Sequence, residues 1–294
     1  MLVLLDEDKI RSALRYETLI PTMSRALAAF STGRVQQPVR TILGIPGHSA
    51  FYGVMPVADE TMLGAKLVTV YPHSTPTHKA VIQLFDARTG TPLALLDGRL
   101  ITEMRTAAVT AVATQLLASP TAHTLAILGS GVQARAHVAA LRLVRTFDEV
   151  RVWSRDATHA RQFAEEVGAR VTSAEEAVRG ADVVVTVTHS PTPVLEGKWL
   201  SDHVHVNAVG AVGRTTREVD DAVMAGATVI VDSRAAAEQE AGDILLPGAT
   251  IYAELGELIA GTRPAAPDGR TIFKSLGLAV EDLAAARLVY EAFA

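Results

Sequence analysis

The sequence contains no cysteine among its 294 residues. This absence excludes a disulfide framework and a catalytic thiol, and it fits a protein that works in a reducing cytoplasm. Lys and Arg are scattered along the chain without forming a basic block, and the formal net charge is −5. A nucleic-acid partner is therefore not expected.

Long apolar runs are also missing. No window approaches the roughly 18–20 apolar residues of a membrane span, so no membrane association is predicted. The first residues have only a short apolar run and no basic segment before it, which argues against a signal peptide. The histidines show no metal-ligand spacing beyond the weak pair His203 and His205, so no metal is predicted.

Two different sequence patterns follow one another along the chain. Residues 38–97 carry short β-branched runs between Gly, Pro and Asp, which is typical of a small antiparallel or mixed sheet. From residue 124 onward, apolar strands alternate with helical segments, which predicts βαβ units and a parallel sheet. The strand-like runs are 125–128, 150–153, 183–187, 204–209 and 229–232.

These sequence patterns predict an α/β protein with a Rossmann dinucleotide-binding domain at 119–270. Residues 1–118 and 271–294 are assigned to a smaller α+β domain for substrate binding and dimerisation. An Ala-rich helix is predicted over 102–118, with Thr102 as its cap, and another over 217–225.

The segment from Gly129 to Ala134 fits the pattern G-x-G-x-x-A. It follows a predicted strand and opens a predicted helix, which is the context that this pattern requires. Gly129 permits the tight turn, Gly131 lets the backbone approach a pyrophosphate, and Ala134 allows close helix–strand packing. Gly129, Gly131, Val132 and Gln133 are therefore predicted to contact the cofactor at the helix N-terminus.

The end of the next strand predicts which dinucleotide is preferred. An NAD site usually has an acidic residue there for the ribose hydroxyl. Here Ser154 and Arg155 occupy the position, and they suit a 2′-phosphate. Asp156 is assigned as the cap of the following helix. NADP(H) is therefore the predicted cofactor, with NAD(H) still possible.

Three cations stand among apolar neighbours: Arg40, Lys66 and Arg105. A cation in such surroundings is unusual unless it meets an anion. Sequence spacing alone does not group the three, and each by itself is also compatible with a surface or edge-strand charge.

Ordered motifs along nearly the whole chain resemble those of the ornithine cyclodeaminase/μ-crystallin family. The texture is most similar to its μ-crystallin, or ketimine reductase, branch. The motifs that carry this resemblance are Gln37-Pro-Val-Arg-Thr, Gly53-Val-Met-Pro, Ala65-Lys-Leu-Val-Thr-Val-Tyr, Asp97-Gly-Arg-Leu-Ile-Thr-Glu-Met-Arg-Thr-Ala-Ala, Leu128-Gly-Ser-Gly-Val-Gln-Ala, Asn207-Ala-Val-Gly-Ala, Glu240-Ala-Gly-Asp, Ala253-Glu-Leu-Gly-Glu and Phe273-Lys-Ser-Leu-Gly-Leu-Ala-Val-Glu-Asp.

The resemblance implies roles for individual residues. Arg40, Lys66 and Arg105 resemble the family's clamp on a substrate α-carboxylate. Arg105 and Thr106 are implied as contacts of the cofactor. Further cofactor neighbours implied in this way are Thr186, Val187, Thr188, Asn207 and Ser275. The family fold also implies that the last helix returns to the first domain and that two subunits join their small sheets in a homodimer.

The implied activity is NAD(P)H-dependent reduction of a cyclic ketimine carboxylate, such as Δ1-pyrroline-2-carboxylate, to a cyclic amino acid. Lys66 is the candidate proton donor, because an ammonium has transferable protons and a guanidinium effectively does not. A carboxylate such as Glu240 would balance the charge near an iminium. Glu240 and Asp243, which lie in the same run, are each equally compatible with lining the cleft and with bracing a loop.

Three alternatives remain open. An ornithine cyclodeaminase would convert L-ornithine to proline and ammonia, but Val212 stands where that branch carries an Asp, and valine cannot accept a proton. The second alternative is another amino-acid dehydrogenase of the family. The third is a non-catalytic protein that only binds a ligand. The intact G-x-G-x-x-A fingerprint at 129–134 and the three cations disfavour it.

Overall fold

The computed structural model describes residues 2–294. Its contacts divide the chain into two compact units: unit 1 comprises Met1–Arg105 and Gly277–Ala294, and unit 2 comprises Thr106–Leu276. These limits differ from the predicted boundaries at 118/119 and 270/271. Within the described residues, no helix combines the length and the hydropathy that a membrane span needs.

Unit 1 is built on a six-stranded sheet in the order β1-β6-β5-β4-β3-β2, in which β1 and β6 are parallel and the other neighbours antiparallel. Its strands are β1 (Val3–Leu5), β2 (Thr41–Gly44), β3 (Phe51–Ala58), β4 (Met62–Val70), β5 (His78–Asp86) and β6 (Pro92–Asp97). Its first helices are α1 (Glu7–Ala13), α2 (Tyr16–Ser31) and the beginning of α3 (Arg99–Leu117).

Helix α3 begins earlier than predicted, because Asp97 and not Thr102 accepts a backbone N–H at its start. The Asp97 carboxylate accepts from the backbone N of Arg99 at 2.8 Å. Thr102 lies one turn inside, where its hydroxyl donates to the carbonyl of Gly98 at 2.7 Å. The division between the units falls within this helix, after Arg105.

Unit 2 is built on an eight-stranded parallel sheet in the order β13-β12-β14-β11-β10-β7-β8-β9. The strands are β7 (Thr124–Leu128), β8 (Glu149–Trp153), β9 (Arg170–Val171), β10 (Val183–Thr186), β11 (His205–Ala208), β12 (Thr228–Val231), β13 (Ile251–Glu254) and β14 (Thr271–Lys274). The helices are α4 (Val132–Leu141), α5 (Ala157–Val167), α6 (Ala174–Val178), α7 (Asp221–Met224), α8 (Arg234–Glu240), α9 (Gly242–Leu245) and α10 (Leu255–Ala260), with a 3₁₀ turn at Gly197–Trp199.

The strand order reverses between β7 and β10, and in such sheets ligands bind outside the carboxyl ends of the strands at this point. Two predictions in this unit need correction. The last strand, β14, inserts between β11 and β12, so unit 2 extends to Leu276, whereas the first domain was predicted to resume at 271. The helix predicted over 217–225 is only the short α7, because the Asp220 side chain accepts from the N of Val223 and starts the helix there.

The chain ends in α11 (Ala279–Glu291), which belongs to unit 1 and packs against α2, β3, β4 and β5. The strand register explains which residues α11 covers. Met55, Lys66 and Ile82 are paired across β3, β4 and β5, so they share one face, and all three are buried. A lysine thus lies in an otherwise apolar row of the core.

Candidate active site

Two of the three predicted cations share one face of the unit 1 sheet. Thr41 pairs with Val54, and continuing that register by one residue places Arg40 opposite Met55. Met55 itself pairs with Lys66. Arg40 and Lys66 therefore flank Met55 on one face, two strand spacings apart.

Lys66 is a buried cation with a buried counter-ion. Its Nζ lies 2.7 Å from Oδ2 of Asp282 and 3.5 Å from the hydroxyl of Thr102, and the side chain is only 3% exposed. Burial lowers the pKa of Lys66 to about 8; the charge of Asp282 opposes this shift, and those of Arg105 and Arg40 add to it. The ammonium is therefore a stronger acid than an exposed lysine.

Arg105 contacts two acids at the start of α11. Its Nε donates to Oδ1 of Asp282 at 3.0 Å, and its Nη1 donates to Oε2 of Glu281 at 2.8 Å. Burial acts to raise the pKa of Asp282, but the charges of Arg105 and Lys66 outweigh it, so the net shift is downward. The Asp282 carboxylate is thus ionised between two cations.

Gly277 places its backbone close to both arginines. Its carbonyl accepts a hydrogen bond from Nη2 of Arg40 at 2.8 Å. A Cβ at this glycine would lie 2.4 Å from Nη1 of Arg105, and its φ of +77° already disfavours other residues. Within unit 1, Asp282 thus pairs with both Lys66 and Arg105. Gly277 accepts a hydrogen bond from Arg40 and lies close to Arg105.

Unit 2 carries the fingerprint loop between β7 and α4. Gly129 has a φ of +129°, and a Cβ there would lie 2.7 Å from the carbonyl oxygen of Val187. Gly131 precedes α4, no side chain caps this helix, and nothing lies within 4 Å of a Cβ at Gly131. The open space and the uncapped N-terminus fit a dinucleotide phosphate beside Val132 and Gln133.

The residues that follow β8 are arranged at the same end of the sheet. The hydroxyls of Ser130 and Ser154 are 2.9 Å apart, and Arg155 is exposed. Asp156 caps α5 as predicted, since it accepts from the N atoms of Thr158 and His159. The carboxylate of Asp156, the acidic residue that follows Ser154 and Arg155 in sequence, therefore binds the N-terminus of α5.

The other predicted cofactor neighbours lie at or near the carboxyl ends of unit 2 strands or in α3. Val187 is half-buried, whereas the Thr186 and Thr188 hydroxyls donate to Glu218 at 2.8 and 2.7 Å. Asn207 is buried, with its Nδ2 donating to Thr114 at 3.0 Å and its Oδ1 3.1 Å from Nε2 of His205. Ser275 and Thr106 are buried as well.

Comparison with known proteins identifies the chain. The family model for the ornithine cyclodeaminase/mu-crystallin family matches residues 2–294. The chain belongs to this family. Both the family resemblance and the predicted α/β fold class are thereby confirmed.

Individual members of the family match almost end to end. A ketimine reductase mu-crystallin of Mus musculus is 48% identical over 299 residues, covering 98% of this chain and 95% of the relative. The structure of Thermococcus litoralis Δ1-pyrroline-2-carboxylate reductase in complex with NADH and L-proline has a TM-score of 0.93 and 34% identity, and the match covers 99% of this chain and 97% of that chain. An archaeal alanine dehydrogenase dimer with bound NAD has a TM-score of 0.93 and 30% identity, with 99% and 95% covered.

The sequence analysis did not predict that Glu281 and Asp282 form ion pairs with Arg105 and Lys66. Glu281 and Asp282 stand in the first turn of α11, where acidic residues are ordinarily explained by the helix dipole. What distinguishes them from ordinary first-turn acids is their burial, at 0% and 1% exposure, which the sequence does not reveal. Glu240, the balancing carboxylate predicted from the sequence, lies in unit 2 at the end of α8, and its backbone carbonyl accepts from the N of Gly213.

Proposed function

We propose that the protein is an NAD(P)H-dependent reductase that converts a cyclic ketimine carboxylate, such as Δ1-pyrroline-2-carboxylate, to the cyclic amino acid. The observation that carries the proposal is the buried cluster of Lys66, Arg105 and Asp282, with Arg40 tied to it through Gly277. The 48% identity to a ketimine reductase over nearly the full chain supports the same reaction.

The cations of the cluster suit a substrate carboxylate. Lys66 and Arg105 contact the carboxylates of Glu281 and Asp282, and Arg40 donates to the carbonyl of Gly277 beside them. Arginine binds carboxylates through a planar fork, so Arg40 and Arg105 are assigned to the α-carboxylate of the substrate. Asp282 holds Lys66 in place and limits the repulsion between the cations and an iminium.

Unit 2 is assigned to the dinucleotide, whose reduced form supplies the hydride to the imine carbon. The imine nitrogen must gain a proton for the reaction to proceed, and Lys66 is assigned as its donor, directly or through water. The new N–H bond takes the proton from the ammonium, and the neutral amine of Lys66 then regains one from solvent. Its lowered pKa, about 8, suits it to donate near neutral pH.

The proposal is tested by following NADPH oxidation with Δ1-pyrroline-2-carboxylate and with its six-membered homologue. The same preparation is incubated with L-ornithine and NAD⁺, and ammonia is measured. Val212 is 47% exposed and offers no proton acceptor, so reduction of a ketimine without ammonia release is expected. Ammonia and proline formed from ornithine as fast as any imine reduction would assign the protein to the cyclodeaminase reaction.

We further propose that NADP(H) is preferred over NAD(H), because Ser154 and the exposed Arg155 stand where an acidic ribose ligand would stand. A charge-assisted hydrogen bond to phosphate contributes about 1.5–3 kcal/mol, so Arg155→Asp should weaken NADPH binding by about tenfold or more and reverse the preference. Dissociation constants measured by calorimetry check this. Arg161→Asp is the control, since it makes the same charge change on the exposed face of α5; equal binding of NADH and NADPH by the unaltered protein would contradict the proposal.

The rate of imine reduction should fall as the pH rises through about 8, if Lys66 is the proton donor. The folded pKa of Lys66 is lowered, so the ammonium is present below this pH and is lost above it. Burial is the main cause of this lowered pKa; Asp282 acts to raise it, and Arg105 and Arg40 act to lower it further. The check is a pH profile of kcat/KM for the imino acid, in which Asp282→Asn should move the limb to lower pH. An unmoved limb would argue against Lys66.

We also propose a homodimer formed through the outer face of the unit 1 sheet. Val54, Leu67 and Val81 pair across β3, β4 and β5 on the face opposite the buried Met55 row, and Val81 is 44% exposed. Exposed apolar faces of this kind mark protein interfaces, and a second copy provides a matching one.

Val81→Lys should therefore convert a dimer to a monomer, as measured by light scattering at micromolar concentration. Val171→Lys alters a comparably exposed valine of unit 2 and should leave the dimer intact. A monomeric unaltered protein would rule out the dimer.

A further inference from the structure

A buried carboxylate that the reaction scheme does not use lies at the carboxyl ends of β10 and β11. Glu218 is fully buried and accepts five hydrogen bonds. Its Oε1 accepts from the N and the hydroxyl of Thr188 at 2.5 and 2.7 Å. Its Oε2 accepts from the hydroxyl of Thr186 at 2.8 Å and from the N atoms of Gly210 and Ala211 at 2.6 and 3.2 Å. One side chain thus joins the two loops that follow these strands.

A second buried charge pair holds Glu218 in turn. Asp243 accepts from the N of Glu218 at 2.9 Å through Oδ1, and its Oδ2 lies 2.9 Å from Nζ of Lys274. Lys274 also donates to the carbonyl of Ala211 at 2.6 Å. Burial raises the pKa of Glu218, while Lys274 and the threonine donors oppose that shift. Burying such charged groups costs free energy, and this network offsets the cost by hydrogen bonds to both loops, at 186–188 and at 210–211.

The loop held by Glu218 touches the fingerprint. Val187 lies between the two threonines, its N donates to the carbonyl of Leu128 at 2.9 Å, and its own carbonyl occupies the space that a Cβ at Gly129 would need. The Thr186 side chain is buried and directed to Glu218, so it is unavailable to a ligand. The shape of the dinucleotide site at this strand end therefore depends on where Glu218 holds residues 186–188.

We infer that Glu218 is a positioning residue for the dinucleotide: it fixes the loops at 186–188 and 210–211 in the conformation that NAD(P) binds, without touching the cofactor. The inference rests on the proposed function. Glu218→Gln keeps the size of the side chain but turns an NH₂ group toward N–H and O–H donors. It should release one of the two loops.

The experiment measures NADPH binding to the full-length protein by calorimetry, with no imino acid present. Glu218→Gln is expected to raise the dissociation constant at least tenfold. Thr186→Val removes one hydroxyl donor with little change in shape, and a rise of about threefold is expected. Asp182→Asn is the matched control: Asp182 accepts from the N atoms of His123 and Thr124 at the amino end of β7, and its loss should change binding by less than twofold.

Amide exchange in the nucleotide-free protein gives an independent readout. The Thr188 and Gly210 amides should exchange faster in Glu218→Gln and not in Asp182→Asn. Unchanged binding in both Glu218→Gln and Thr186→Val would overturn the inference, and so would an equal loss in Asp182→Asn. If Glu218→Gln does not fold, Thr186→Val decides alone. Failure of the unaltered protein to bind any pyridine nucleotide would instead overturn the proposed function.

Discussion

Replacing Lys66 with methionine should lower kcat for imine reduction by about 10²- to 10⁴-fold, the usual contribution of a positioned proton donor. NADPH binding should stay intact, because Lys66 and its partners Asp282 and Thr102 all belong to unit 1. Steady-state rates with the imino acid and calorimetry with NADPH measure the two effects separately.

Two further variants show whether the proton or the charge of Lys66 matters. Lys66→Arg keeps a cation beside Asp282 but carries no readily transferable proton, so its kcat should remain low. Arg287→Met removes another cation of unit 1, one that pairs with Asp59, and should leave kcat within about twofold. Turnover by Lys66→Arg close to that of the unaltered protein would show that Lys66 acts only through its charge. Denaturant unfolding should accompany each assay, since removing one partner of a buried pair destabilises a fold by about 3–5 kcal/mol.

Gly277→Ala should raise KM for the imino acid at least tenfold. The new Cβ would lie 2.4 Å from Nη1 of Arg105 and would push the guanidinium away from its place between Glu281 and Asp282. Loss of one charge-assisted contact to a carboxylate costs about 1.5–3 kcal/mol, which corresponds to about tenfold or more in affinity.

Gly33→Ala is the control for backbone strain. Gly33 belongs to the same unit and has a φ of +75°, against +77° at Gly277, but nothing lies within 4 Å of a Cβ there. Both variants should lose stability through backbone strain, Gly277→Ala more because Arg105 is also displaced, and only Gly277→Ala should change KM. An equal rise of KM in Gly33→Ala would mean that strain, and not the displacement of Arg105, causes the effect.

The ion-pair partners of Lys66 and Arg105 bear on which carboxylate balances the charge of the cations. The sequence offers Glu240 as a carboxylate that would balance the charge near an iminium. Within unit 1, the carboxylates of Asp282 and Glu281 lie 2.7 to 3.0 Å from Lys66 and Arg105, and we propose that they take this role. Asp243, which the sequence left undecided, binds Lys274 and braces the loop of Glu218.

The sequence by itself determined the features whose physical cause is local. Gly129 and Gly131 are recognisable because a strand, a turn and a helix N-terminus follow one another within ten residues, Thr124 to Gly131 and beyond. The cap at Asp156 is equally local, since a carboxylate reaches only the N–H groups two and three residues ahead. Family motifs extended this reach, because their order along the chain carries information that spacing alone does not.

Only the tertiary structure decided which charges meet. Lys66 and Asp282 are 216 residues apart in sequence, and Arg105 and Glu281 are 176 apart; α11 brings them together by returning to the sheet of unit 1. Glu218 appears in the sequence as one acid in an expected helix, and its role follows from the two loops that reach it. Burial, counter-ions and the shifted pKa of Lys66 are properties of such long-range contacts, so no local pattern could have encoded them.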